Sequence, residues 1–493
     1  MQAFVYGETV GTLSASSGTL EDILTLDLPG DPLNPQDWVL ICSGEAKVYN
    51  GAATTDIRSD VRITLNGTDQ YLYQYKHQNG VSINSRTGYM GVLYLKDHAG
   101  FLTGGVHQTY STLKVRATHN TTDSATGAID ATNTRILGIR IPKRAVGVQH
   151  YFTKSSATAF SGTGSAIYGE TSFAPTRGRY LFISTVQLTL AANGAPGTVD
   201  FKMVVAETKD AASELGATTQ ELRRVPHVDL DTAAAGTGHI THQEDAAVAQ
   251  KVLVSAFAVV DVWDTPTSCS WLVDHAGTSA STQAEHCKTV AIPLDGNFDY
   301  AFRDYAGSRT NATATYAAPL AGFSFGRTGK KTFLLYEAFA TKTAAGDLDA
   351  AVFPGGTTTG AYGSIFAQTL PVALETLYLL GSAMFTGVVS AGVDIAFREN
   401  TASGGDALLN NCCLLALTDS QSGQSAVQVN LDLPMPYDVE AYENTNIVDS
   451  ATDTAIKVVA NSAEPLGTQI IPVVRATDTR TTAISMNDTV LTF

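Results

Sequence analysis

The 493-residue sequence is poor in charge. Asp, Glu, Lys and Arg make up 16% of it, against roughly 25% in ordinary globular domains. That excludes a helical bundle, whose exposed faces are normally written in Glu and Lys. Basic residues are the scarcer sign, 31 against 47 acidic, for a net charge of −16. No run of clustered Lys and Arg is present to follow a phosphate backbone, so nucleic acid is excluded as a partner. An acidic surface also repels anionic membranes. Cysteine is sparse and odd in number, with Cys42, Cys269, Cys287, Cys412 and Cys413. That is no disulfide framework and fits folding in a reducing cytoplasm. A Cys269–Cys287 pair is conceivable, but buried free thiols on strands are the expectation for the set.

Residues 1–8 offer neither a basic stretch nor a long apolar one, so no secretory signal is read. The uncharged run 376–393 is interrupted by Gly381, Gly387 and Gly392. It reads as two strands with a turn rather than as a membrane helix.

What the sequence does have is Thr, Gly and short apolar alternations. Asp60-Val61-Arg62-Ile63-Thr64-Leu65 and Gln70-Tyr71-Leu72-Tyr73-Gln74-Tyr75 show the period of two expected of half-buried strands. The best helix candidate is 212–225, and even that contains Gly216. An internal repeat divides the chain. Leu113-Lys114-Val115-Arg116 leads through a polar loop to Arg135-Ile136-Leu137-Gly138-Ile139; Trp271-Leu272-Val273 leads likewise to Thr289-Val290-Ala291-Ile292. Asp394-Ile395-Ala396-Phe397 leads to Leu414-Leu415-Ala416-Leu417, and Val473-Val474-Arg475 to Thr489-Val490-Leu491. Each pair is expected to be the closing hairpin of a unit. A second signature, Trp38-Val39-Leu40-Ile41, Tyr180-Leu181-Phe182-Ile183 and Phe333-Leu334-Leu335-Tyr336, recurs at similar intervals. The expected fold is all-β: tandem antiparallel β-sandwiches of jelly-roll type. Units are expected at 1–150, 151–295 (with a long loop insertion) and 296–420, followed by a short C-terminal β unit at 421–493.

Motifs with chemical meaning fail on context. Gly322-Phe323-Ser324-Phe325-Gly326 matches a nucleophile elbow, yet all ten histidines precede it and the elbow needs a following helix. Gly329-Lys330-Lys331-Thr332 lacks the P-loop spacing. His239-Ile240-Thr241-His242-Gln243-Glu244-Asp245 is the densest ligand-like cluster, but its histidines stand i, i+3 and it reads as a solvated loop. Asp229/Asp231 and Asp347/Asp349 do not continue into a calcium loop. The acceptor patterns at Asn66, Asn120, Asn311 and Asn487 are what chance gives in a Thr-rich chain. Tyr71, Tyr73 and Tyr75 share one strand face, which would suit a half-buried sheet, a subunit contact or a sugar site. No catalytic, cofactor-binding or metal residue is assigned, and no cofactor is expected.

Three phrases carry a resemblance: Arg179-Tyr180-Leu181-Phe182-Ile183, Val199-Asp200-Phe201-Lys202-Met203-Val204-Val205 and Lys288-Thr289-Val290-Ala291-Ile292. Together with Thr376-Leu377-Tyr378-Leu379-Leu380 and Cys413-Leu414-Leu415-Ala416-Leu417 in the third unit, they resemble β-sandwich units of tailed-bacteriophage virion proteins. The resemblance covers about half of the chain. It implies a non-enzymatic structural protein of a phage particle, a surface-exposed head decoration or spike. The virion would be its location, after assembly in the host cytoplasm. Its partners would be other virion proteins of capsid or tail and further copies of itself, as a homo-oligomer. A trimer is expected, burying the aromatic faces while repetition extends the blocks outward. The alternative in the binding class is a tail fibre recognising a receptor or host-surface glycan; in the enzyme class, a polysaccharide-degrading enzyme with two acids across a cleft.

Overall fold

The computed structural model describes the strands named below, with connecting residues 19–20, 30, 35, 66–67, 99–100, 157, 294, 312–316, 326–330, 355–361 and 387–388. The first unit holds β1 (Phe4–Thr9), β2 (Ser14–Ala15), β3 (Glu21–Pro29), β4 (Gln36–Asn50), β5 (Ile57–Leu65) and β6 (Thr68–His77). It continues with β7 (Asn84–His98), β8 (Phe101–Thr103), β9 (Val106–Gln108), β10 (Tyr110–Thr121) and β11 (Gly127–Ile141). The second unit holds β12 (Tyr151–Lys154), β13 (Thr158–Phe160), β14 (Thr163–Phe173), β15 (Gly178–Leu190) and β16 (Thr198–Thr208). After these come β17 (Thr219–Arg224), β18 (Ile240–Gln243), β19 (Gln250–Val262), β20 (Thr267–Ala276) and β21 (Thr282–Pro293). The third unit holds β22 (Phe298–Asn311), β23 (Ala317–Phe325), β24 (Lys331–Lys342) and β25 (Gly346–Pro354). It ends with β26 (Phe366–Leu370), β27 (Thr376–Thr386), β28 (Val389–Glu399) and β29 (Ala407–Asp419).

Strand order repeats three times. One sheet of each unit runs β1-β11-β4-β7, β12-β21-β15-β19 and β22-β29-β24-β27. The other runs β3-β10-β5-β6, β14-β20-β16-β17 and β23-β28-β25-β26. We call these the inner and outer sheets. Their pairings are antiparallel. Two four-stranded sheets with this order make a jelly roll, so the chain is an all-β tandem of antiparallel sandwiches. Boundaries near His150, Asp295 and Ser420 remain our proposal for where the folding units end. Residues 420–493, with the expected fourth unit, lie outside the described residues.

Two expectations are corrected. Three of the four expected closing hairpins are not hairpins: β10 and β11 lie in opposite sheets, as do β20 and β21, and β28 and β29, while the fourth, from Val473 to Leu491, lies outside the described residues. Both members of each pair are interior strands already flanked on two sides, which leaves neither edge free for the other. The helix expected at 212–225 is a strand over Thr219–Arg224, paired with β16 from Val204↔Arg224 to Thr208↔Thr219. An open sheet edge satisfies its backbone, where Gly216 and β-branched Thr give a helix little support. Residues 209–218 lie outside the described set. The run 376–393 does form β27 and β28, turning at Gly387 (φ 83°), where a side chain would be strained.

Burial tells the sheets of the first unit apart. Its outer strand β10 alternates, with Leu113, Val115 and Ala117 buried between half-buried neighbours. The outer strands β25 and β28 of the third unit, by contrast, are buried over 348–353 and 392–397, with Tyr316, Ala318 and Ala361 packed on Ala351, Phe353 and Ala396. Inner strands do not alternate. Trp38, Val39, Leu40, Ile41 and Cys42 are all buried, as are residues 180–188 of β15 and 332–338 of β24. Antiparallel sheets with both faces covered lose their alternation, which is why these strands read as continuous apolar runs. One face packs on the unit's own outer sheet. The other packs on neighbouring units, and a single apolar core runs through the first two units into Phe333, Leu335, Leu380, Cys413, Leu415 and Leu417 of the third. The units therefore do not extend outward in a row. Apolar inner faces require cover, and they cover one another, each such side chain contributing roughly 1.5–3 kcal/mol.

Candidate functional site

The sequence motifs occupy structural positions. Ser324 is exposed on β23 between buried Phe323 and Phe325, and the chain continues from Gly326 into a turn and β24, not a helix. Thr332 of the P-loop-like stretch bonds Thr418 across β24 and β29 at 2.7 Å. His242 lies on β18 opposite Val199, which makes that segment a sheet edge, while His239, Glu244, Asp245, Asp229 and Asp231 lie outside the described residues. Asp349 is buried and ion-paired to Arg398 at 2.8 Å. The Arg398 guanidinium sits 4.5 Å over the Tyr316 ring, and burial pushes that tyrosine's hydroxyl up to about 12. Asn66 and Asn311 spend their side chains within the fold: Asn66 accepts from the Thr112 N–H and donates to the Ser111 hydroxyl, and Asn311 donates to the Thr315 and Phe397 carbonyls and accepts from the Thr313 hydroxyl. No group of three metal-ligating side chains occurs among the described residues.

The tyrosine stripe is not a surface. Tyr71 and Tyr73 are buried inside the first sandwich; Tyr71 donates to the Val92 carbonyl at 2.9 Å, and Tyr73 lies 5.7 Å from the Tyr89 ring. Alternation put them on one face, and that face is core. The side chain of Tyr75 lies outside the described set. Cys42, Cys287, Cys412 and Cys413 are buried free thiols, so no Cys269–Cys287 disulfide exists.

The arrangement that stands out is the meeting of the three inner sheets. Strand β7 touches β15, β19 bonds to β24, and β27 touches β4. In the same sense β6 touches β19, β18 touches β27, and β26 touches β7. Each unit offers corresponding strands to the next, and the third closes on the first. The contacts form a ring.

Register places equivalent residues at matching levels around it. On β4, β15 and β24 the first level is Val39, Leu181 and Phe333, and the second is Ile41, Ile183 and Leu335. Their partners on β11, β21 and β29 are Ile139, Ile292 and Leu417, then Leu137, Val290 and Leu415. Two residues further the third level turns polar. It carries Ser43 opposite Arg135, Thr185 opposite Lys288, and Glu337 opposite Cys413.

The polar groups of this level and its neighbours bridge units. Between the third and first, the Ser43 and Ser382 hydroxyls meet, and Arg135 Nη1 donates to the Ser382 carbonyl at 2.5 Å. Between the second and third, the Phe257 N–H donates to Glu337 Oε2 at 3.3 Å. Between the first and second, Ser255 Oγ, itself 2.9 Å from Thr185 Oγ1, donates to the Met90 carbonyl at 2.7 Å. Lys288 Nζ reaches Gln70 Oε1 at 3.2 Å and sits 4.3 Å over the Tyr71 ring. Outside the row, the Leu72 N–H donates to Gln187 at 2.6 Å and the Lys251 N–H to Gln74 at 3.0 Å. Phe4 stacks on Phe298 at 5.6 Å.

Burial dominates the electrostatics. It pushes the Glu337 carboxyl well above the ordinary carboxylate range, the Phe257 N–H only partly opposing it. It pushes the Lys288 ammonium down to about 8, opposed by the Cys42 and Cys287 thiols. Neither group was singled out in the sequence. The available signal was a charge inside or beside an inner-strand apolar run: Glu337 after Phe333-Leu334-Leu335-Tyr336, and Lys288 before Thr289-Val290-Ala291-Ile292.

No protein-family model and no curated protein matches the sequence. Among solved structures, the chain is similar to one described as the triple jelly roll fold and turret assembly in an archaeal virus (10% identity, 85% of this chain and 91% of that one, TM-score 0.17). It is also similar to the VP2 subviral particle of infectious bursal disease virus (9% identity, 85% and 81%, TM-score 0.20). A third is the N-terminal CBM22-1-CBM22-2 tandem domain of Paenibacillus barcinonensis Xyn10C (9% identity, 57% and 100%, TM-score 0.19). The jelly-roll assignment rests on strand order.

Proposed function

We propose that the chain is a non-enzymatic structural protein of a virus particle. The observation that supports this best is the ring itself: three jelly rolls whose apolar inner faces are spent on one another, giving a rigid block. Such a block transmits load and presents outer sheets and loops to neighbours. The outer strands of the first unit carry charge pairs, Lys114 and Arg116 with Asp22 and Arg62 with Asp69, a solvated face suited to polar, reversible contacts. The narrower reading, a tailed-phage head decoration or spike assembled in the host cytoplasm, rests on the sequence resemblance. Self-association is part of the proposal, but it does not serve to bury the aromatic faces. Phe4, Tyr71 and Tyr73 are already covered within one chain, so contacts between copies fall to outer surfaces.

The test is light scattering and negative-stain microscopy of the recombinant protein, with antibody labelling of purified particles. A regular assembly that labels intact particles is the expected result, and its location on head or tail then separates decoration from fibre. A monomer that labels no particle and binds or cleaves polysaccharide would overturn it.

A further inference from the structure

The ring raises a question of order. Three similar units in one chain, made at high local concentration, could pair in several ways, within a chain or between chains. At the first two levels the inner faces offer little to tell them apart: Val39, Leu181 and Phe333, then Ile41, Ile183 and Leu335, are all apolar and similarly placed. Apolar burial is non-directional and rewards a wrong neighbour nearly as well as the right one. Only the third level differs in chemistry from unit to unit. Arg135, Lys288 and Cys413 occupy one equivalent position, and Ser43, Thr185 and Glu337 the other.

We propose that this third level is the specificity row of the chain's own assembly, setting which unit docks on which and discouraging docking between like units of different chains. Each member is matched to one seam. Arg135 finds the Ser382 carbonyl beside the pair of Ser43 and Ser382 hydroxyls; the other units carry Val92 and Phe257 at the Ser382 position, with no hydroxyl for Ser43, and Arg135 Nε also pairs with Glu8 at 3.3 Å. Lys288 finds Gln70 and the Tyr71 ring, which come only from the first. Glu337 finds the Phe257 N–H of the second. Exchanging units would bring Lys288 against a face without the Gln70 acceptor and the Tyr71 ring, and an unmatched buried charge is among the strongest penalties a contact can carry. The match adds little to stability, because desolvation consumes most of what the pairing returns. Its effect is on choice of partner.

That separation makes the proposal testable in the full-length chain. Arg135→Met with Lys288→Met removes both buried cations while keeping volume and apolar contact. The variant is expected to melt at or above the wild-type temperature, yet to refold from urea with about ten times the fraction of multimers at equal protein concentration, resolved by size exclusion with light scattering. Equal multimer fractions would overturn the proposal. If the double variant precipitates, Lys288→Met alone removes the cation of the seam between the first and second units. More multimers on refolding would support the row; a wild-type refolding profile would overturn it. Conservative changes at the second level, Ile41→Val with Ile183→Val, are the control and leave the multimer fraction unchanged.

Discussion

Glu337 shows how one side chain reports on the ring. It lies on the shared face of β24, flanked in register by Leu380 and the Cys413 thiol, with the Phe257 N–H from the second unit on its Oε2. Its folded-state pKa is raised, so the folded protein holds a proton there that the unfolded chain releases at the usual ~4.3. Stability from this group is fully present below that value and is lost as pH rises toward the folded pKa, by about 1.4 kcal/mol per pH unit while one proton differs between states. Lys288 has the opposite slope in a different window. Its lowered value near 8 makes stability rise with pH from about 8 toward the ordinary lysine value. Glu337→Gln keeps an acceptor for Phe257 without the ionisation. Urea titrations from pH 4 upward are expected to show wild-type stability declining above ~4.3 and the variant nearly flat over that window. A parallel decline in both would place the titrating group elsewhere.

At the scale of the strand, face assignment decides what each position tolerates. Gly44 on β4 pairs with Tyr89 on β7, and a Cβ at Gly44 would run into the Tyr89 hydroxyl, which neighbours Thr134 at 3.4 Å. The third unit solves the same crowding the other way round, with Tyr336 on β24 over Gly381 on β27. Gly44→Ala is therefore expected to cost about 1–3 kcal/mol by overpacking. The ring obstructs as well, with Tyr89 Cζ and Cε1 at 2.5 and 2.9 Å from that Cβ, so adding Tyr89→Phe should return only a small part of it; chemical denaturation of both variants measures this, and a double variant as stable as the wild type would refute the contact with the ring. The strands themselves were legible in the sequence, because period two and Gly-bounded runs report burial directly. The recurring Trp38, Tyr180 and Phe333 signatures each mark the same strand of a jelly roll. Sheet partners were not legible. A polar loop joining two apolar strands reads the same whether they pair or cross to opposite sheets, as β10 and β11 do. The row of Ser43, Thr185 and Glu337 was hidden for a related reason: its members are far apart in the chain, and only the cross-strand register aligns them.

At the scale of the molecule, sharing a core has a thermodynamic consequence. Independent beads on a string would melt separately, each with the small enthalpy of a domain of its size. Here the inner sheet of each unit has one face in its own sandwich and the other in its neighbours, and a continuous apolar cluster crosses from Phe4 through Phe257 to Leu417. Losing one unit would strip cover from inner strands of both others, exposing apolar surface at roughly 25 cal/mol per Å². It would also break bonds such as Ser255 to Met90 and Arg135 to Ser382. No unit then has a stable state in the absence of its neighbours, which couples the three transitions into one. Differential scanning calorimetry of residues 1–419 is expected to give a single peak whose calorimetric and van't Hoff enthalpies agree. Three resolved peaks, or a calorimetric enthalpy about three times the van't Hoff value, would show that the seams are too weak to hold the ring as one body. A single peak that splits in the Arg135→Met, Lys288→Met variant would locate the coupling in the polar row; one that stays whole there would locate it in the apolar levels, leaving the row to choose partners rather than to bind them.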